Sequence, residues 1–190
     1  MHITGILLAA GQSQRFGSPK LRHILPQQQL PLILASAQIL QPWVKQLLVV
    51  VRPDDIELQR LLTIAGYTYV ICEASTLGMG HSLACGVQAS ATADAWLVAL
   101  ADMPFIQAQT IQRLVTHLEN GVALVAPYYR GKRGHPVGFA HQFYTPLSQL
   151  TGDSGARAII EAHITTLLPL HGDDKGILQD IDTIDDLPPA

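Results

Sequence analysis

The chain has 190 residues, of which 48% are apolar and only 14% charged, with a formal net charge of −3. These values describe a globular chain long enough to bury its own core, and they exclude a disordered or strongly basic one. Nucleic acid is therefore not expected as a main partner, and any anion site has to be local. Cys72 and Cys85 lie in apolar contexts, with no CxxC or Cys/His ligand spacing. They read as small core thiols suited to a reducing compartment. The first apolar run lacks a basic leader, and no apolar stretch approaches the ~20 residues of a membrane span, so a cytoplasmic protein without membrane contact is expected.

In chain order, short apolar runs at 3–9, 46–51, 67–71, 96–100 and 122–127 alternate with helical windows at 30–40, 54–65, 80–90 and 107–118. In the last window Ile111, Leu114, Val115 and Leu118 recur at helical spacing. Runs such as LLVVV and WLVAL are continuously apolar, which fits strands covered on both faces of a parallel α/β sheet. Right-handed crossovers then align the strand C-termini along one edge, where ligands bind. Residues 129–139 are basic and glycine-rich and predict a loop or hairpin excursion. Helices are expected over 142–150 and 154–163, and short strands over 165–170 and 177–181. The terminal LPPA is expected to fray. No repeat or linker splits the chain, so residues 1–190 are expected to form one domain.

Six stretches are able to carry chemistry. LLAAGQSQRFGSPK places a glycine-bearing basic loop directly after the first strand, where backbone N–H groups, Arg15 and Lys20 suit a phosphate. Five residues separate Gly11 from Gly17, so it is not a P-loop, and the GxGxxG dinucleotide fingerprint is absent. Its bland alternative is a surface loop with solvated cations. WLVALADMPF puts Asp102 at the end of a buried strand, as a hard oxygen ligand for Mg²⁺ or as the cap of a turn with Pro104 at its first position. TLGMGHSLACGV offers the backbone of Gly78, Gly80 and Ser82 to a ribose, base or phosphate, or else small residues for close packing, with His81 incidental. RGKRGHPVGF clusters Arg130, Lys132 and Arg133 before His135, which reads as a pH-sensitive group, a hydrogen-bond donor or a buttress for the turn at Pro136. In LTGDSGAR, Asp153 or Ser154 is a candidate helix cap. In DIDTIDDL, Asp182 is a candidate second metal ligand or another cap.

Taken in order, these motifs resemble the MobA-like nucleotidyltransferases. They are most similar to the molybdenum cofactor cytidylyltransferases, the MocA-like branch. The resemblance runs from about residue 3 to residue 187, and GHPV followed by TGDSGAR is its discriminating pair. It implies a Rossmann-like three-layer α/β sandwich of the nucleotide-diphospho-sugar transferase type, with a mostly parallel sheet. It implies Mg²⁺-dependent transfer of CMP from CTP to the phosphate of a molybdopterin cofactor, with release of pyrophosphate and a molybdoenzyme as possible partner. By position, Lys20, Arg15 and Asp102 match the catalytic set. Leu8, Ala9, Ala10 and Gly11, with Arg15, Lys20, Gly78, Gly80 and Ser82, match the nucleotide site. Asp102 and Asp182 match the metal ligands, and His135 and Asp153 fall on the substrate side. Ala10, where guanylyltransferase relatives carry glycine, favours cytosine. Two departures are the HILPQQQLPLI stretch, which lacks the usual glycine turn, and a polar His23 in place of an aliphatic residue. The alternatives are a guanylyltransferase, a transferase to another phosphorylated acceptor, or a non-catalytic cofactor carrier.

Overall fold

The structure is a computed structural model describing residues 1–11, 16–17 and 19–187. In chain order its elements are β1 (Ile3–Leu8), β2 (Ile24–Leu25), β3 (Leu30–Pro31), α1 (Leu32–Leu40), β4 (Gln46–Val51), α2 (Ile56–Ile64), β5 (Thr68–Ile71), α3 (Met79–Ala89), β6 (Ala95–Leu100) and α4 (Ala108–Glu119). They continue with β7 (Leu124–Tyr129), β8 (Lys132–Arg133), β9 (Val137–Ala140), α5 (Tyr144–Ser148), α6 (Arg157–Ala162) and β10 (Leu168–His171).

The main sheet has the order β10-β7-β9-β6-β1-β4-β5, with β8 also on β7. β1 lies parallel to both β4 and β6, so Leu8, Val51 and Leu100 finish on one edge. Neighbouring strand residues point to opposite faces, and the continuously apolar runs divide accordingly. Leu7, Val49 and Leu97 pack with α1, α2 and α4 residues such as Leu32, Leu58 and Ile111. Ile6, Val50 and Trp96 pack on the other face with Leu83 of α3, Leu147 of α5 and Ile160 of α6. This is the three-layer α/β sandwich that the apolar runs imply. No helix among the described residues is long and apolar enough to cross a membrane.

Three segments differ from expectation. Residues 129–139 are only partly an excursion. Arg130 and Gly131 turn β8 back on β7, but β9 then enters the sheet between β7 and β6, antiparallel to both. Val137 and Phe139 are fully buried, and Gly138 admits Val125 and Leu118 at its missing Cβ, so a four-residue central strand is hidden behind glycines and a proline. The strand expected at 177–181 is instead a 3-10 turn, Lys175–Leu178, because the Asp174 carboxylate accepts from Gly176 N at 2.9 Å and winds the chain there. The helix expected over 142–150 is split into the 3-10 turn His141–Phe143 and the short α5. The end of the chain, 188–190, lies outside the described residues.

The glycine-free stretch after Lys20 forms the β2–β3 hairpin. Gln29 takes the left-handed backbone conformation (φ 53°) that a glycine would otherwise supply, and its amide N–H donates to Leu25 O at 2.8 Å. His23 places its ring edge-on to the buried Phe16 at 5.4 Å between centroids, an aromatic contact where an aliphatic one was expected.

Buried Asp174 also organises α4 from a distance in sequence: it accepts from Gln107 N at 2.9 Å and from Thr110 Oγ1 at 2.6 Å. It acts as the helix cap that Gln107 does not provide. Replacing it with alanine is expected to cost ~2–4 kcal/mol, from a lost cap and lost charge-assisted hydrogen bonds. The denaturant midpoints of wild type and Asp174→Ala measure this, and equal midpoints would contradict the assignment.

Candidate active site

The strand ends of β1 and β6 open into a cleft of about 710 Å³. Leu8, Ala9, Ala10, Gly11, Lys20, Gly78, Ser82, Asp102, Asp153 and Asp182 all line it, so most residues singled out in the sequence meet in one place. Gly80 and His135 are not among the lining residues, and Arg15 lies outside the described residues.

Backbone hydrogen bonds bring the two aspartates together. Ala101 N donates to Leu8 O at 3.0 Å, and Ser36 Oγ donates to Ala101 O at 2.8 Å, which fixes the chain leaving β6. Ile181 N then donates to Asp102 O at 3.0 Å, so the residue after Ile181 arrives beside Asp102. The Asp186 carboxylate holds Asp182 from the other side. It accepts from Asp182 N at 3.0 Å, Thr183 N at 2.7 Å and Thr183 Oγ1 at 2.9 Å. These donors, Thr183 N–H first, hold the Asp186 carboxyl below its ordinary range.

Lys20 joins the pair. Its Nζ donates to Asp102 Oδ2 at 2.8 Å and to Asp182 Oδ1 at 3.2 Å, and only 7% of its side chain is exposed. Asp102 Oδ1 is buried and has no hydrogen-bond partner. None of the three candidate aspartates is a helix cap. α4 is capped by Asp174, α6 has no side-chain cap, and Thr183 with Asp186 forms the capping box of the last turn.

On the opposite wall, the TGDSGAR loop crosses the start of α3. Gly80 N donates to Gly152 O at 2.7 Å, and a Cβ on Gly80 would sit 2.5 Å from Thr151 O. Gly78 has φ 122°, and a Cβ there would overlap Gly152 and Asp153 Oδ1. These glycines seat one loop on another, and Gly86 brings α3 onto Ile6 and Val50 of the sheet. Ser75 was not singled out by its spacing, yet it lines this wall. It is 93% buried by its 7% exposure, and its Oγ has no protein partner. Cys72 and Cys85 are free thiols beneath the same wall. Burial and the neighbouring Cys72 push the Cys85 thiol up to about 12, so it stays protonated and inert.

His135 does not line the cleft, and its ring Nδ1 is buried with no hydrogen-bond partner. Its backbone N–H donates to Ile177 O at 3.0 Å, and Gly134 leaves room for that same residue. Burial, then the nearby Arg133 charge, lower the ring's pKa from 6.5, against smaller opposing effects of the Val98 backbone and Asp102.

The mostly parallel sheet, covered on both faces, thus opens at its strand ends on a small-residue loop, a buried lysine and two carboxylates. The chain belongs to the MobA-like NTP transferase domain family, whose model matches residues 5–167. It is 27% identical to the purine catabolism protein PucB of Bacillus subtilis strain 168, over 96% of this chain and 92% of that protein. It is also 27% identical to nicotine blue oxidoreductase of Paenarthrobacter nicotinovorans, over 97% of this chain and 94% of that protein. Its fold matches the crystal structure of Rv0371c from Mycobacterium tuberculosis H37Rv with TM-score 0.84 and 24% identity, covering 98% of this chain and 96% of that one. The same mycobacterial protein has also been solved in complex with manganese, matching with TM-score 0.79.

The depressed His135 pKa has a definite pH signature. The unfolded chain binds more protons than the folded one below about pH 6.5, so this residue's contribution is present above that pH and declines below it. The unfolding midpoint is expected to fall as pH drops from about 7 toward about 5, with a shallower fall in His135→Asn. Identical slopes in thermal melts would refute the assignment.

Proposed function

We propose that the protein transfers CMP from CTP to the phosphate of a molybdopterin cofactor and releases pyrophosphate. The observation that carries this reading is the placement of Lys20, Asp102 and Asp182 on one another at the mouth of the strand-end cleft. The backbone of 9–11 borders the same cleft and suits a triphosphate. The ordered motifs favour the cytidylyl branch, as does Ala10 at the cleft, where guanylyltransferase relatives carry glycine.

The acceptor phosphate attacks the α-phosphorus of CTP, a new P–O bond forms, and the bond to the β-phosphate oxygen breaks in line. The protein's work is positioning and charge stabilisation. Lys20 neutralises charge at the α-phosphate, and Arg15 neutralises charge on the leaving pyrophosphate. No general base is required, because a phosphate nucleophile is already ionised near neutral pH. The buried, unpartnered Asp102 Oδ1 and the adjacent Asp182 carboxylate suit a hard divalent cation, which takes one or two protein carboxylates and completes its shell with water and phosphate. Asp102 and Asp182 would hold Mg²⁺, which when bound stabilises negative charge on the phosphate oxygens. Asp153 and Ser75 also line the cleft, and this reading gives them the hydroxyls and base of the substrates. A cytoplasmic molybdoenzyme is the natural recipient of the product.

Two other readings stay in view: transfer from GTP or to another phosphorylated acceptor, and a carrier that binds the cofactor without chemistry. A pyrophosphate-release panel of the four NTPs, with molybdopterin, with a sugar phosphate or with no acceptor, separates them. The expected result is release from CTP only when molybdopterin is present. Activity only with a sugar phosphate would sink the cofactor assignment, and binding without release would favour the carrier. The relative named nicotine blue oxidoreductase motivates one control, reduction of nicotine blue, where no turnover is expected. Lys20→Ala and Asp102→Ala are each expected to lower turnover by ~10²–10³-fold, the loss typical of one preorganised charge, while circular dichroism stays native.

A further inference from the structure

The reading above gives Lys20 to a phosphate and the two aspartates to a cation, yet in this structure all three are joined to each other. The Lys20 ammonium is shared between two carboxylates, and the buried Asp102 Oδ1 has no hydrogen-bond partner. A divalent cation on the same carboxylates would balance both negative charges without the lysine. A cation held by these two carboxylates would compete with Nζ for them. Like charges that close repel, and the Lys20 side chain is 7% exposed while those of Asp102 and Asp182 are 23% and 33% exposed.

We propose that Lys20 is the resident cation of the metal site. Its ammonium bridges Asp102 and Asp182 until a divalent cation arrives together with nucleotide phosphate, and the two then exchange places. The proposal rests on the metal and phosphate roles given above. The triphosphate supplies Lys20 with a replacement anion as the carboxylates pass to the metal. Metal and nucleotide therefore assist each other's binding by the same factor, as linkage requires. A metal alone meets an occupied site. The exchange also delivers Lys20 to the phosphate only after the metal is in place, so one side chain couples loading to readiness.

Mn²⁺ binding without nucleotide, followed by the electron paramagnetic resonance signal of the free ion, tests this. Lys20→Met is expected to bind Mn²⁺ ~10-fold or more tightly than wild type, since a neighbouring positive charge has been removed, although the same variant loses turnover. Lys20→Arg keeps a cation between the carboxylates and is expected to stay near wild type. A β,γ-methylene analogue of CTP should tighten Mn²⁺ binding more in wild type than in Lys20→Met. If Lys20→Met bound Mn²⁺ no better than wild type while Asp102→Asn abolished binding, the exchange would be wrong and the metal site right. If Asp102→Asn left binding unchanged, the metal assignment itself would fail, and the exchange with it. Should Lys20→Met be less stable, a larger Mn²⁺-induced rise in its melting midpoint than in wild type is the same expected result, and equal rises would overturn the exchange.

Discussion

One ammonium group held by two carboxylates ties the strand-end cleft together. Lys20 lies 82 residues from Asp102 and 162 from Asp182, yet it reaches both. Sheet geometry closes that distance. β1 and β6 end side by side, the 3-10 turn after Pro19 brings Lys20 over those ends, and the Ile181–Asp102 backbone hydrogen bond returns the far end of the chain to the same spot. An isolated surface ion pair contributes little to stability. This one is part of a cleft wall, and under the proposed function its value is the preorganisation of three charged groups beside the reacting phosphates.

The rest of the cleft depends on close backbone approach. Glycines at 78 and 80 let the 151–155 loop lie against the start of α3, and Gly86 lets that helix settle on the central strands. Asp174 and Asp186 act at a second remove. Each spends its carboxylate on backbone N–H groups and so holds the turns that present the working residues. In the C-terminal third, Asp174 and Asp186 thus build turns, whereas Asp153 and Asp182 face the cleft.

The parallel strands and their order of appearance were legible because doubly buried strands must be continuously apolar, as LLVVV and WLVAL are. β9 was not, since VGFA is too short to show a period and its glycine and preceding proline look like a loop. Lys20 and Asp102 stood out by type and position after strands. Their contact with Asp182 could not be read from spacing, because it is made by a long-range hydrogen bond at Ile181. Gly80 was read as a ligand cradle from composition, but its open side faces Thr151 and Gly152. Ser75 carried no local signal at all, and only its burial beside the cleft exposes its unpartnered hydroxyl.

The central claim is that the α-phosphoryl nucleoside unit of CTP, and not its terminal phosphate, is what moves. Incubating the protein with molybdopterin and CTP labelled with ³²P at either the α or the γ position tests it most directly. The account predicts that the α-label enters the cofactor and the γ-label appears in pyrophosphate. Transfer of the γ-label to the cofactor, or retention of both labels in CTP, would contradict it.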